Sequence, residues 1–171
     1  LFQFNILTKD EFKFCFDSYF DSLRNYLYYR CGDSDLATDL AQDAFMKVWE
    51  KDIAFEGNRT KGLLYKIAAD LFASSYRRKK LEQKHASTLE FSLSGDRPDN
   101  YVQYQELKES YEKGLSRLNE KQRVVFLMSR MEGLSYKEIA ERLDLSVKAI
   151  EKRMNVALSH LKKDLRINVG Q

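Results

Sequence analysis

From Ser146 to Asn155 the chain reads Ser-Val-Lys-Ala-Ile-Glu-Lys-Arg-Met-Asn. Wound as a helix, this segment puts Lys148, Ala149, Glu151, Lys152 and Asn155 on one face, with Arg153 at its margin. Lysine and arginine can meet guanine edges or phosphates, and Ala149 leaves room for a thymine methyl. Ser146 and the amino end of the helix can hold a phosphate. A second set has the opposite sign: Asp39, Gln42 and Asp43 lie within two turns, with the two carboxylates at i, i+4. They suit a basic partner and a steered encounter. A third is the run Arg77, Arg78, Lys79, Lys80. All three are chemistries of binding, and the plainer alternative for each is a solvated helix face. For the last set, cations at a helix C-terminus also suit the macrodipole.

Nothing comparable points to catalysis. His85 and His160 stand alone, and Cys15 and Cys31 form no CxxC pair and have no histidine nearby to complete a metal site. No nucleophile–base arrangement and no Gly-rich phosphate loop is visible. We therefore expect no catalytic residue, no metal and no cofactor, and two buried thiols in a reducing cytosol. No apolar run approaches a membrane span and no signal-peptide pattern opens the sequence, so membrane insertion is not expected. The first residue is Leu1 rather than Met, which leaves room for native residues ahead of it.

The net charge of +3 conceals a partition. Residues 1–53 hold six Lys/Arg and ten Asp/Glu, residues 54–84 hold eight and three, and residues 119–171 hold eleven and seven. One acidic and two basic segments imply a protein partner at one place and a polyanion at two others.

The elements that must carry these groups are helices. One Pro and seven Gly in 171 residues suit long helices and argue against a turn-rich sandwich. Phe12, Phe16, Tyr19, Phe20, Leu23 and Leu27 recur at helical spacing after a Thr8–Glu11 capping box, and Gly32 ends that helix. Asp33 or Ser34 caps a second, with Leu36, Leu40, Ala44 and Val48 as its apolar stripe; Phe45 and Trp49 widen it and are expected in the core. Residues 56–62 read as a loop. A third helix follows with Leu64, Ile67, Ala68, Leu71 and Phe72 apolar. Periodicity fails over 82–99, which holds the only Pro and reads as an interdomain linker. It resumes near Asn100 through Tyr104, Leu107, Tyr111 and Leu115.

Over the last fifty residues, Asn119 and Gln122 open a helix that Gly133 ends, and Ser135 and Glu138 form a second capping box. Asp144-Leu145 turns the chain, and Ser146 caps a final helix whose stripe is Val147, Ile150, Met154, Ala157, Leu158 and Leu161. A short helix, a tight turn and a longer basic helix make a helix-turn-helix, and the second helix of that motif enters the major groove by its N-terminal half. The expected fold is all-α. It has two small helical domains, 1–81 and 100–171, joined by the 82–99 linker, the second a helix-turn-helix without a wing.

With these residues in place, the chain resembles the extracytoplasmic-function (ECF) sigma factors over essentially its full length. LNEKQRVVFLMSRMEGLSYKEIAERLDLSVKAIEKRMNVALSHLKK resembles the domain that reads the promoter −35 element. LATDLAQDAFMKVWEK resembles the helix that binds core polymerase, and LLYKIAADLFASSYRRKK the −10-element helix. The first likeness is shared with other helix-turn-helix regulators; the pairing of the other two is far more specific. The chain departs from the family at Asp70, where Asn is usual, at Ser74, often Asp, and at Asp144, usually Gly. An anionic Asp70 would repel phosphate, whereas Asp144 tolerates the left-handed turn.

The resemblance implies a specificity subunit of RNA polymerase without catalysis of its own, working in the cytoplasm. Asp39, Gln42 and Asp43 would contact the β′ clamp helices, and the second domain would reach the β flap. The loop before the third helix would capture a flipped base of the −10 element, with Asn58 and Arg59 at its edge and Lys61, Lys66, Arg77, Arg78 and Lys80 on phosphates. Ser146, Lys148, Ala149, Glu151, Lys152, Arg153 and Asn155 would read the −35 element. The family's usual controller is an anti-sigma factor, often membrane-tethered. Two alternatives remain open on sequence alone: a dimeric helix-turn-helix regulator acting without polymerase, and, far behind it, an enzyme or metalloprotein.

Overall fold

The computed structural model describes residues 7–51, 53–82, 92 and 102–168. They form seven α-helices and no strand: α1 (Lys9–Cys31), α2 (Ser34–Glu50), α3 (Asn58–Glu82), α4 (Val102–Arg117), α5 (Glu120–Met131), α6 (Tyr136–Leu143) and α7 (Val147–Asn168).

The helix ends are set by local chemistry. Thr8 accepts from the Glu11 amide at 3.2 Å while Glu11 accepts from the Thr8 amide at 2.9 Å, a complete capping box for α1. Gly32, left-handed at φ 68°, stops it. Asp33, not Ser34, caps α2 through the Asp35 and Leu36 amides. Ser135 and Glu138 build a second capping box on α6. Asp144 then turns the chain at φ 53°, ψ 51°, a left-handed conformation that aspartate tolerates better than most residues.

The first three helices pack on one another, as do the last four, with α7 lying against α4, α5 and α6. Leu23 and Leu27 of α1, Ala44, Phe45 and Val48 of α2, and Leu64, Ala68 and Phe72 of α3 are buried together. Leu115, Val125, Leu127, Met128, Ile139, Ile150, Met154, Ala157 and Leu161 continue the same buried cluster through the last four helices. The two groups also touch: α5 packs on α1 and α6 on α3.

Three expectations require correction. The 56–62 segment is not a loop throughout, because α3 begins at Asn58. Gly57, at φ 48°, turns the chain, and its carbonyl accepts from the Lys61 amide at 3.1 Å. Buried Thr60 receives the Glu56 amide at 2.9 Å. Trp49 is not core: it lies 37% exposed at the end of α2, its ring centroid 4.9 Å from that of Phe12, whereas Phe45 is buried. Val147 and Leu158, placed on the buried stripe of α7, are exposed. Val147 is the first residue of its helix, where fewer neighbours reach it.

Candidate polymerase and nucleic-acid interfaces

α2 is clamped to α1 on one side and open on the other. Arg24 of α1 donates to Thr38 Oγ1 at 2.8 Å and to Ser34 Oγ at 2.6 Å, while Ala37, Leu40, Ala41, Ala44 and Val48 are buried. This leaves Asp39, Gln42 and Asp43 exposed together on the outer face. Sequence reasoning misses what continues that face: Met46 is 54% exposed, and Trp49 follows three residues on. The available signal is position, since Met46 stands three residues after Asp43 and off the buried stripe. An acidic patch running into apolar surface fits a protein partner better than a mere solvated face does.

The cations expected at the −10 element do not form one surface. Lys66, Arg77 and Arg78 are exposed, with Asp70 and Ser74 between them. At 100° per residue Lys66, Asp70, Ser74 and Arg77/Arg78 follow one ridge of α3. The Arg77 guanidinium Nε donates to the Ala73 carbonyl at 3.2 Å, which holds it along the helix. Asn58 and Arg59 are exposed in the first helical turn, and Arg59 pairs with Glu56 at 2.8 Å. The Lys80 side chain lies outside the described residues.

Lys61 is set apart, about 140° around α3 from Lys66. It is half-buried, with its Nζ 5.2 Å from the centre of the Tyr19 ring. Burial is the main cause that lowers its pKa; Arg142 adds to this, and Glu138, Glu132 and Glu141 oppose it. α3, which carries Lys61, packs against α6.

The Ser146–Asn155 set is presented as the helix-turn-helix requires. The Ala149 amide donates to Ser146 Oγ at 3.2 Å, so Ser146 caps α7. Ile150, Met154, Ala157 and Leu161 anchor the inner face. Lys148, Glu151, Lys152 and Asn155 are exposed, and Ala149 and Arg153 half-exposed. Burial raises the Tyr26 phenol pKa, and Arg30, its hydrogen-bond donor at 3.1 Å, opposes that.

Among the described residues no group of three or more His, Cys, Asp or Glu is placed to hold a metal ion, and no helix is long and apolar enough to cross a membrane. Cys15 is buried and Cys31 half-buried, and they are not joined by a disulfide. Burial pushes the Cys15 thiol up to about 11, well away from a nucleophile's range.

Comparison with known proteins matches both halves. Residues 15–82 match the family "Sigma-70 region 2" and residues 108–161 match "Sigma-70, region 4". The chain is 29% identical over 161 residues to the RNA polymerase sigma factor YlaC of Bacillus subtilis (strain 168), covering 92% of this chain and 93% of that one. It is 28% identical over 140 residues to the ferric citrate uptake sigma factor FecI of Escherichia coli (strain K12), 81% of each chain. To the ECF RNA polymerase sigma factor SigW of Bacillus subtilis it is 28% identical over 169 residues, 92% of this chain and 90% of that one. Its fold is similar to the sigma factor RpoE from Bartonella quintana in a co-crystal with the anti-sigma factor NepR. There the TM-score is 0.67 at 25% identity, covering 94% of this chain and 99% of that one.

Proposed function

The chain belongs to the sigma-70 family of RNA polymerase sigma factors, in its ECF subfamily, and we propose how its surfaces divide the work of such a factor. It binds core RNA polymerase and directs promoter-specific transcription initiation through −10 and −35 elements. As a specificity subunit it leaves the chemistry to the polymerase.

In our reading residues 1–81 form the region 2 domain, 82–99 the linker and 100–171 the region 4 domain. Asp39, Gln42 and Asp43 dock on the β′ clamp helices, and exposed Met46 and Trp49 extend that contact. Asn58 and Arg59 meet the edge of a flipped −10 base, and Lys61, Lys66, Arg77, Arg78 and Lys80 hold phosphates. Ser146, Lys148, Ala149, Glu151, Lys152, Arg153 and Asn155 face the −35 element, while the rest of the second domain meets the β flap. In this reading the protein acts in the cytoplasm under an anti-sigma factor, the kind of partner with which its structural neighbour was co-crystallised.

The observation that carries this reading is the acidic, partly apolar face of α2 within the segment that matches region 2. It favours a polymerase partner over a dimeric regulator acting alone. In vitro run-off transcription tests it: core polymerase with this protein should initiate at discrete sites on genomic templates. Loss of initiation in every template tried would overturn the reading.

A further inference from the structure

Asp70 is an exposed group of α3 that none of the surfaces assigned above uses. It stands between Lys66 and Arg77 in sequence, and the three lie within about 40° of one another around the helix. Among the described residues it makes no hydrogen bond and no ion pair. Lys66 is one turn back, but a cation that precedes its acid at i, i+4 is the weaker order of such a pair. Aspartate is also a poor helix former, because its side chain competes for nearby backbone groups. The middle of α3 thus carries an exposed anion where alanine or glutamate would suit the helix better, and no contact within the fold offsets that cost.

The flanking cations give the position its meaning. Lys66 and Arg77 lie about 16 Å apart along the axis at a rise of about 1.5 Å per residue, enough to span a major groove about 12 Å wide. With these two cations on phosphates at either side, Asp70 is held over the floor of the groove, where the base edges lie. A carboxylate close to a polyanion weakens binding unless a donor meets it. Ionised, it only accepts hydrogen bonds. Guanine presents O6 and N7 in this groove, thymine O4, and adenine N7 beside its amine, all acceptors that repel a carboxylate. Cytosine alone presents a donor, its N4 amine, and no acceptor.

We propose that Asp70 is a specificity-determining residue: its carboxylate accepts from the N4 amine of one cytosine in the −10 element. The proposal rests on the reading of α3 as the −10 helix. Asp70 works mainly by rejection. It lowers affinity wherever another base stands and recovers the loss only at cytosine, so discrimination comes from the penalty on wrong sequences. Arg77 and Arg78, on phosphates, favour all sequences alike.

The test uses core polymerase loaded with the full chain and a promoter duplex mapped by run-off transcription. Each −10 base pair is replaced in turn by the other three, and affinity is measured for wild type, Asp70→Asn and Asp70→Ala. Wild type is expected to favour cytosine at one position by about tenfold. Both variants should lose that preference by gaining affinity for the other bases, so that Asp70→Ala binds the substituted promoters more tightly than wild type does. A side chain that only supports α3 predicts the opposite sign, since damage to the helix weakens binding to every template. Wild type without a cytosine preference at any −10 position, variants that keep one, or uniform weakening in Asp70→Ala would overturn the proposal. A holoenzyme indifferent to every −10 base refutes the reading of α3 itself, whereas selective binding that Asp70→Ala leaves unchanged removes Asp70 alone.

Discussion

Arg123 Nε lies 2.8 Å from the carbonyl oxygen of Tyr29, a residue 94 positions earlier in the chain. That one bond ties the helix before the helix-turn-helix to the end of the helix on which α2 is mounted. The segments that match region 2 and region 4 are therefore joined at this point, and substitutions can be sorted by which side of this tie they touch.

Reversal of charge at Asp43 acts on the polymerase side alone. The side chain is exposed in mid-helix and faces away from the α1–α3 core, so Asp43→Lys leaves the fold intact. Core binding should fall below detection in a pull-down or polarisation assay while the circular dichroism spectrum matches wild type. Wild-type affinity in the variant would remove α2 from the interface.

On the DNA side, Arg77 and Arg78 are assigned to phosphates. Removing one cation from a phosphate lowers the slope of log affinity against log salt by roughly 0.7–0.9. Arg77→Ala/Arg78→Ala should weaken holoenzyme binding to all promoters alike and flatten that slope by about 1.4–1.8 units. A titration of promoter affinity from low to moderate salt reads both effects; an unchanged slope would place these arginines off the backbone.

The turn chemistry of the helix-turn-helix makes a stability prediction. Ser135→Ala deletes the hydroxyl that accepts from the Glu138 amide, at a cost of about 1 kcal/mol. Asp144→Val puts a β-branched residue at φ 53°, where the left-handed backbone costs roughly 1–2 kcal/mol or more. Urea midpoints should drop for both, with the larger fall for Asp144→Val.

Acid should act through the two capping boxes. Hydrogen bonds from Thr8 lower the Glu11 pKa from 4.5, and those from Ser135 do the same for Glu138. A depressed folded-state pKa contributes stability that is whole above pH 4.5 and vanishes as the pH falls through the lowered values. Glu11→Gln/Glu138→Gln should therefore lose less stability than wild type between neutrality and pH 3–4, a range set by ordinary carboxylates, in urea melts at stepped pH. An equal acid loss in the double variant would count against the boxes as the source.

The parts legible in the sequence are those whose causes lie within a few residues. Thr8 with Glu11, Ser135 with Glu138 and the turn at Asp144 are encoded three residues apart or at one position, and they fold as read. The start of α3 is hidden because Gly57 and Asn58 look like loop residues, whereas buried Thr60 draws in the preceding backbone. Spacing alone sends Trp49 to the core, yet at the end of α2 it meets Phe12 edge-on and stays 37% exposed. Nearness in sequence groups Lys61 with Lys66, and helical rotation separates them. Arg123 carries no sequence signal at all, because its partners are carbonyls at the far end of another helix.

The buried phenols give the molecule a built-in optical probe. Tyr26, Tyr29 and Tyr65 all lie at 6% exposure or less, and charged residues of the second helical group perturb each of them. Separation of the groups would hydrate these rings together, so their ultraviolet absorbance should shift as a set when polymerase is added. Unlabelled protein could then report its own opening in a stopped-flow trace.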